Sequence, residues 1–382
     1  MKKRHIVYIT GTRGDFGLMK NVLREINKNP EFRLSIIVTG MHLMDEFGNS
    51  LKEVEKENFT LYKLNAIYKS DDRTSMAEFA ADCLKGCVKI FKKIKPDILL
   101  VIGDRAESIA ASVAAAYMKI PIAHIHGGDK SATIDEPVRH AITKLASIHL
   151  AATKFSAERI EKMGEEKWRI FVVGAPSLDA ILNSEIADKK TVEKKLNVDL
   201  GKPVIIVLQH PSFDSEQADK QMTETMDAVK ELGEQTIVIY PNADAGGRKI
   251  IDVIEKYRRC KNVKIFKNIE HSLFLGLMKT ASVMIGNSSC GIIEAPSFNL
   301  PVVNIGERQD GRDRCSNVVD VGYNKKRIVS AIKKALYDKE FIKGIKGCKN
   351  IYGDGKTAKR IVKILSETKI DNKLLQKRLT YQ

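Results

Sequence analysis

The sequence predicts an α/β protein made of two Rossmann-like domains. Three observations carry this. Short apolar, β-rich runs alternate with helical patterns; several runs end in glycine-bearing turns that open onto a helix; and the alternation breaks once, over the charged stretch 187–201, before resuming. Strands alternating with helices imply parallel sheets. Two blocks of alternation imply two such domains with a cleft between them. A chain of 382 residues exceeds one core and fits two. The expected division is a first domain over 1–186, a linker over 187–201, a second domain over 202–365 and a polar, frayed tail over 366–382.

The elements follow in order. Residues 5–10, HIVYIT, form a strand; GTRGDFG is the turn after it; LMKNVLREINKN has helical spacing. A strand at 33–38, a helix at 43–56 and a short strand at 59–64 come next. The amphipathic helix over 71–95 is stopped by Pro96. Strand 97–102, the Ala-rich helix 105–118 and strand 121–126 lead to a helix over 136–146, with Pro137 in its first turn. Strand 147–153, a helix closed by Gly164 and strand 169–173 complete the first half. In the second half, strands at 203–208, 236–240, 263–266, 282–285 and 301–305 alternate with helices at 215–232, 247–259, 271–280 and 290–296. Helices over 325–343 and 357–369 end the pattern.

Composition bounds the function class. Hydrophobic residues at 43% and charged residues at 29% are ordinary for a soluble globular chain, so general disorder is excluded. No apolar run approaches the ~20 residues that span a bilayer, so no membrane role is expected. The basic start MKKR precedes an apolar run too short for a signal peptide, and it is taken as the entry to a first strand. Lys and Arg exceed Asp and Glu by 64 − 48 = 16. That surplus suits a phosphate-bearing partner, or equally a Lys-rich surface. The lysines are spread and no aromatic-interleaved basic stripe exists, so no nucleic-acid partner is expected. The six cysteines form no CxxC pair and no zinc spacing. Cys83 and Cys87 share a helix face, which favours packing. Scattered thiols point to reduced cysteines and a cytoplasmic protein.

Ionisable residues gather at strand ends, where open α/β sheets place their chemistry. In GTRGDFG, backbone N–H groups and the Arg13 guanidinium suit a phosphate, against the alternative of a plain tight turn. In GDRAE, Asp104 follows a buried strand and fits a general base or a helix cap equally well; Glu107 fits a capping box. In HIHGGDKSATIDEPVRH, His124 and His126 alternate on a strand and point to one face, a weak metal signal without a third ligand. A catalytic imidazole beside the Gly-Gly turn is the sharper reading. Asp129, Asp135 and Glu136 add acids, with Asp135 also placed to cap the following helix. The second half offers LQHPSF with His210, YPNADAGG with Asn242 and Asp244, and MIGNSSCGIIEAP. In the last, a strand ends in Gly286-Asn287-Ser288-Ser289 before a helix, which suits a diphosphate, and Glu294 is placed for a ribose diol. NIGERQDGRDR adds Arg308, Gln309 and Arg312. Neither a Walker A lysine nor a GxSxG elbow is present.

Eight ordered blocks, GTRGDFG, TGMHLMDEFGN, GDRAE, HIHGGDKSATIDEPVRHAITKL, LQHP, PNADAG, GNSSCGIIEAP and NIGERQDGR, resemble the signature blocks of the UDP-N-acetylglucosamine 2-epimerases, nearest the hydrolysing branch of sialic acid biosynthesis. The resemblance runs from residue 5 to about residue 365. It implies a glycosyltransferase-B (GT-B) arrangement with the active site in the interdomain cleft and a reaction without metal or other cofactor. A base takes the C2 proton, UDP leaves by anti elimination, and 2-acetamidoglucal is hydrated to N-acetylmannosamine. Asp104 and Asp135 match catalytic aspartates. Arg13, His210, Asn242, Ser288, Ser289, Glu294 and Arg308 match UDP-contacting positions; His42, Arg105, Arg139, Asp244, Gly286 and Asn287 complete the expected substrate set. This chain departs from members with a glutamate before the Gly-Gly, carrying His126 there. The second acid/base role therefore stands open between His126, Asp129 and Asp135. The resemblance also implies a homo-oligomer, dimer or tetramer. The nearest alternative substrate is UDP-N,N′-diacetylbacillosamine. The other rivals are the non-hydrolysing epimerase, a glycosyltransferase of the same fold and a nucleic-acid-binding module.

Overall fold

Residues 3–48, 50–132, 134–183 and 186–381 are described by the computed structural model; Asn49 and Thr133, which fall within two of the motif blocks, lie outside the described residues. The chain divides into two compact units. The first holds the residues up to Asp129, 134–182 and those from Tyr352 onward; the second holds 130–133 and 183–351.

In the first unit, seven strands form one parallel sheet: β1 (Arg4–Thr10), β2 (Phe32–Val38), β3 (Thr60–Lys63), β4 (Ile98–Ile102), β5 (Ile122–Ile125), β6 (Ile148–Ala151) and β7 (Ile170–Val172). Their order is β3-β2-β1-β4-β5-β6-β7. The chain steps outward from β1 in one direction, returns to β4 beside β1 and steps outward the other way. That leaves a crevice at the β1/β4 carboxyl ends, where such sheets bind ligands. All five residues of β4, ILLVI, are buried, as a central strand covered on both faces requires. The second unit repeats the plan with β8 (Val204–Leu208), β9 (Gln235–Ile239), β10 (Val263–Phe266), β11 (Val283–Gly286), β12 (Val302–Ile305) and β13 (Val318–Val321), in the order β10-β9-β8-β11-β12-β13. Its switch point lies between β8 and β11. The predicted class, α/β with two Rossmann-like units, is the one observed.

The first helix shows how sequence fixes position. Thr12 caps helix Arg13–Lys28 in a reciprocal box with Asp15, and Phe16, Met19, Val22, Leu23 and Ile26 recur at helical spacing to form its buried face. The Ala-rich helix is Ala106–Tyr117; it buries Ala110, Ala111, Ala114 and Ala115 and packs on helix Arg73–Ile94.

Several expectations need correction. Residues 187–201 are no bare linker: Asp188 caps helix Lys189–Leu196, and Val192 and Leu196 enter the second unit's core. Among the described residues, the stretch 43–56 has the end of the turn Gly40–Leu43, the turn Asp45–Phe47, the left-handed Gly48 and the short helix Leu51–Glu55 in place of one helix. The 325–343 helix is interrupted at Asp338, whose carboxylate accepts from the N–H groups of Glu340 and Phe341 and starts a new helix, Lys339–Ile345. The expected helix at 290–296 is one turn, Cys290–Ile293, followed by a 3-10 turn containing Pro296, which cannot donate to a helix ladder.

The largest correction concerns the C-terminus. Helix Thr357–Glu367 belongs to the first unit, not the second. Ala358, Ile361 and Leu365 join the core of β1, β4 and helix Arg13–Lys28. Asp179, buried in helix Pro176–Asn183, accepts from Thr357 N (2.8 Å) and Ala358 N (2.6 Å) and caps that helix from a distance. The expected frayed tail is also ordered: Asp371 caps a short helix Asn372–Leu375, and Leu374 is buried.

Candidate active site

In the first unit the candidate residues converge on the β1/β4 switch point and the turn after β5. Asp104 does not cap its helix. That helix starts at Ala106 with Arg105 at the cap position and no side-chain cap bond. Instead Asp104 Oδ2 accepts from Arg139 Nε at 2.8 Å and from Arg139 Nη2. Arg139 is 1% exposed, and its Nη1 donates to the Asp129 carbonyl at 2.7 Å. Burial disfavours its charge, but the carboxylates of Asp104, Asp129 and Asp135 outweigh that and raise its pKa. A guanidinium engaged in this way positions the Asp104 carboxylate. Asp135 is itself the first residue of helix Asp135–Leu145, with Ile134 at the cap position.

His124 and His126 do not share a face. β5 ends at Ile125, and His126 takes φ +63°, which swings its ring out of the strand alternation. His124 is fully buried; its Nε2 lies 2.7 Å from the Gly103 carbonyl and its Nδ1 3.2 Å from Thr143 Oγ1. Burial lowers its pKa to about 3, so it is a neutral buttress of the turn that carries Asp104. His126 Nδ1 lies 2.9 Å from Asp129 Oδ2, and Ser156 Oγ donates to Asp129 Oδ1 at 2.7 Å. Asp129, 3% exposed, thus has both oxygens engaged and orients the imidazole, leaving Nε2 as its second functional nitrogen.

Arg13 is ion-paired with Glu53. His42 is fully buried between Thr10 Oγ1 (3.0 Å) and Ser50 Oγ (2.7 Å). Burial, with Arg13 nearby, lowers its pKa to about 3. Held on both ring nitrogens, it props the β1 turn. Arg105 Nε donates to Glu107 Oε1 at 2.8 Å and its Nη2 to the Tyr68 hydroxyl at 3.2 Å. Glu107 is therefore not a capping-box residue. Its carboxylate lies where a side chain on Gly11 would be, a Cβ there meeting Oε1 at 2.1 Å. Ser156, Tyr68 and the buttressing role of His124 escaped the sequence reading. Only the GDRAE spacing, Arg two residues before Glu, hinted at the Arg105–Glu107 pair.

The second unit assembles its candidates at the β8/β11 switch point. The Asn287 side chain clasps the His210 backbone, accepting from His210 N at 2.7 Å and donating to His210 O at 2.9 Å. Asn287 is 1% exposed, and its side chain braces the site. Its carbonyl accepts from Arg308 Nη1 (3.3 Å) and Gln309 Nε2 (2.8 Å). His210 Nδ1 accepts from Asn242 N at 3.1 Å, and Asn242 Nδ2 donates to Asp244. Gly286 at φ +118° has its Cα against the Leu208 carbonyl. Ser288 Oγ lies 3.0 Å from Cys290 Sγ; Ser289 opens the one-turn helix, and Glu294 ends it, 4% exposed. Among the described residues, no group of three or more His, Cys, Asp or Glu forms a metal site. Among the described residues, no helix is long and apolar enough to cross a membrane.

A profile described as UDP-N-acetylglucosamine 2-epimerase matches residues 24–366. The chain is 38% identical over 376 residues to a UDP-N,N′-diacetylbacillosamine 2-epimerase (hydrolyzing) of Legionella pneumophila, covering 98% of each. It is 33% identical to a GDP/UDP-N,N′-diacetylbacillosamine 2-epimerase (hydrolyzing) of Campylobacter jejuni, covering 89% of each. It is 32% identical to a UDP-N-acetylglucosamine 2-epimerase of Neisseria meningitidis, covering 87% of each. The fold matches the UDP-GlcNAc 2-epimerases of Neisseria meningitidis and Methanocaldococcus jannaschii, crystallised with UDP-GlcNAc, each at TM-score 0.80 over 95% of this chain and 100% of theirs, with 22% and 23% identity. From this agreement across almost the whole chain, the protein belongs to the UDP-N-acetylglucosamine 2-epimerase family.

Proposed function

We propose that this protein is a hydrolysing UDP-sugar 2-epimerase, with UDP-N,N′-diacetylbacillosamine as the preferred substrate and UDP-N-acetylglucosamine as the second candidate. The observation that carries the chemistry is the hydrogen-bonded set Asp104–Arg139–Asp129–His126, which gathers two acid/base groups, a carboxylate and an oriented imidazole, at one end of the first sheet. The order of substrates rests on the 38% identity to the Legionella enzyme against 32% to the Neisseria one.

In this reading Asp104 takes the C2 proton. The C2–H electrons form the C1=C2 bond, and the C1–O pair departs with UDP. The developing charge on the diphosphate is met by Arg308 and the Ser288 and Ser289 hydroxyls. His126 Nε2 then gives a proton to the opposite face of C2 as water adds through oxygen to C1; the proton that the water sheds passes back to the imidazole, and the one held by Asp104 leaves with UDP, giving the free epimerised sugar. Asp129 holds Nδ1 and stabilises the imidazolium between steps; Asp135 is a third acid at the same helix start. His210, Asn242, Asp244 and Glu294 line the UDP side.

Incubating the protein with each sugar nucleotide, following UDP release and identifying the sugar by NMR tests this. The diacetylbacillosamine donor should turn over faster. Release of UDP from neither, without an acceptor, would sink the hydrolysing reading. Asp104→Asn should lose at least about 100-fold in kcat while UDP affinity stays nearly unchanged.

A further inference from the structure

The C-terminal segment, polar and basic in sequence, is tied into the first unit more firmly than stability of a tail needs. Arg169, fully buried, donates to three of its carbonyls: Leu374 and Lys373 at 2.7 Å and Gln376 at 3.2 Å. Its guanidinium also lies 4.1 Å from the Trp168 ring centre, and Lys373 Nζ lies 4.8 Å from the same ring. Beyond Gln376, Lys377 reaches inward. Its Nζ meets the Glu165 carboxylate at 2.6 Å and the carbonyls of Thr143 (3.2 Å) and Lys144 (2.7 Å). Glu165 is 1% exposed and also accepts from Lys144 Nζ (2.6 Å) and His149 Nε2 (3.0 Å). Burial alone would raise the Glu165 pKa, but the three donors outweigh it and hold it down at about 2.

The two carbonyls that Lys377 takes lie in the last turn of helix Asp135–Leu145, where Thr143 O also accepts from Ala146 N at 3.2 Å and Lys377 adds a charged donor to the helix end. That helix carries Arg139, which grips Asp104 and the Asp129 carbonyl, and Thr143, whose hydroxyl meets His124 Nδ1. His124 in turn bonds the Gly103 carbonyl. One helix therefore sets both the Asp104 side chain and the turn that carries it, and the C-terminal segment fixes the far end of that helix. We infer that residues 371–377 are a positioning element of the acid–base site, with Lys377 as the positioning residue that acts through helix Asp135–Leu145 on Asp104. The inference rests on the proposed reading of Asp104 as a proton-transfer group.

The test is Lys377→Ala in the full-length protein, with three measurements. UDP binding by calorimetry counts the folded sites. The kcat per UDP-binding site should fall by about 10–100-fold, with KM changed little, as expected of a misplaced reacting group. Propylammonium, which replaces the lost ammonium, should restore part of it. Hydrogen exchange should speed up over 135–145 and at 103–105. A variant with a lower Tm but unchanged kcat per site, or one whose exchange changes only after residue 366, would overturn the inference. If the wild-type protein turns over neither sugar nucleotide, the exchange measurement still decides whether Lys377 sets the Asp104 turn.

Discussion

Asp15 closes the first βα turn by accepting from Gly11 N at 3.1 Å, from Thr12 N at 3.3 Å and from the Thr10 hydroxyl. Those donors favour its charged form. Burial and the neighbouring Glu107 carboxylate oppose it more strongly and push it up from 3.8 to about 7. Below its ordinary value the carboxyl is protonated folded or unfolded. Between there and about 7 only the folded protein keeps the proton, so Asp15 favours folding at the acid end and this contribution is lost as pH rises. Compared with Asp15→Asn, which does not titrate, the wild type should therefore lose relative stability between pH 5 and pH 8. Urea unfolding of both proteins at the two pH values measures it; a constant difference would refute the shift. Side chains of this kind were half legible in sequence. GTRGDFG announced a turn, yet the partner Glu107 lies 92 residues further on and was assigned to a cap. His126 was misjudged for a related reason. Alternation along a strand is a sequence property, but a residue that leaves the strand at φ +63° obeys the turn, and no local pattern encodes that angle for histidine. The partners that hold His42, Thr10 and Ser50, are brought together only by the fold.

At the scale of elements, the second unit's switch point rests on strand ends that approach closely, and glycine permits the approach. At the end of β11, Gly286 has φ +118°, and a Cβ there would lie 2.2 Å from the Leu208 carbonyl at the end of β8. A backbone oxygen in a central parallel pair cannot yield as a flexible side chain would. Gly286→Ala should therefore cost at least about 2 kcal/mol, from backbone strain and the clash together. Because Asn287 follows directly and clasps His210, UDP affinity should fall with stability. Thermal unfolding and calorimetry on the full-length variant would show it. A variant with wild-type Tm and affinity would mean that the two strand ends can part without cost. The alternation of strands and helices was legible because burial on both faces writes nearly unbroken apolar runs into central strands such as β4 and β8. The ends of helices were less so. Asp338 splits a continuous helical pattern because a capping carboxylate has the same sequence signature inside a helix as at its start.

For the whole molecule, the sequence order misleads about which residues fold together. Rhythm alone assigned helix Thr357–Glu367 to the second domain, since it follows the second block without a break. Its apolar face instead completes the first core. Only the pairing of faces, which a single sequence does not display, distinguishes the two assignments. A fragment ending at residue 182 would leave the surface of helix Arg13–Lys28 that meets helix Thr357–Glu367 uncovered, Asp179 without the two N–H donors it caps, and buried Glu165 without Lys377. A buried carboxylate that loses a cation is costly, and an uncovered core face exposes apolar surface. Residues 186–351, by contrast, keep a six-stranded sheet and both of its helical layers. The fragment 3–182 should show no cooperative urea transition and should bind a hydrophobic dye. The fragment 186–351 should unfold cooperatively on its own. Adding a peptide of residues 352–381 to the first fragment should restore cooperativity, because that peptide supplies the missing cap, cation and apolar face. A first fragment that folds without the peptide would mean that the C-terminal return acts on the site alone and contributes nothing to the core.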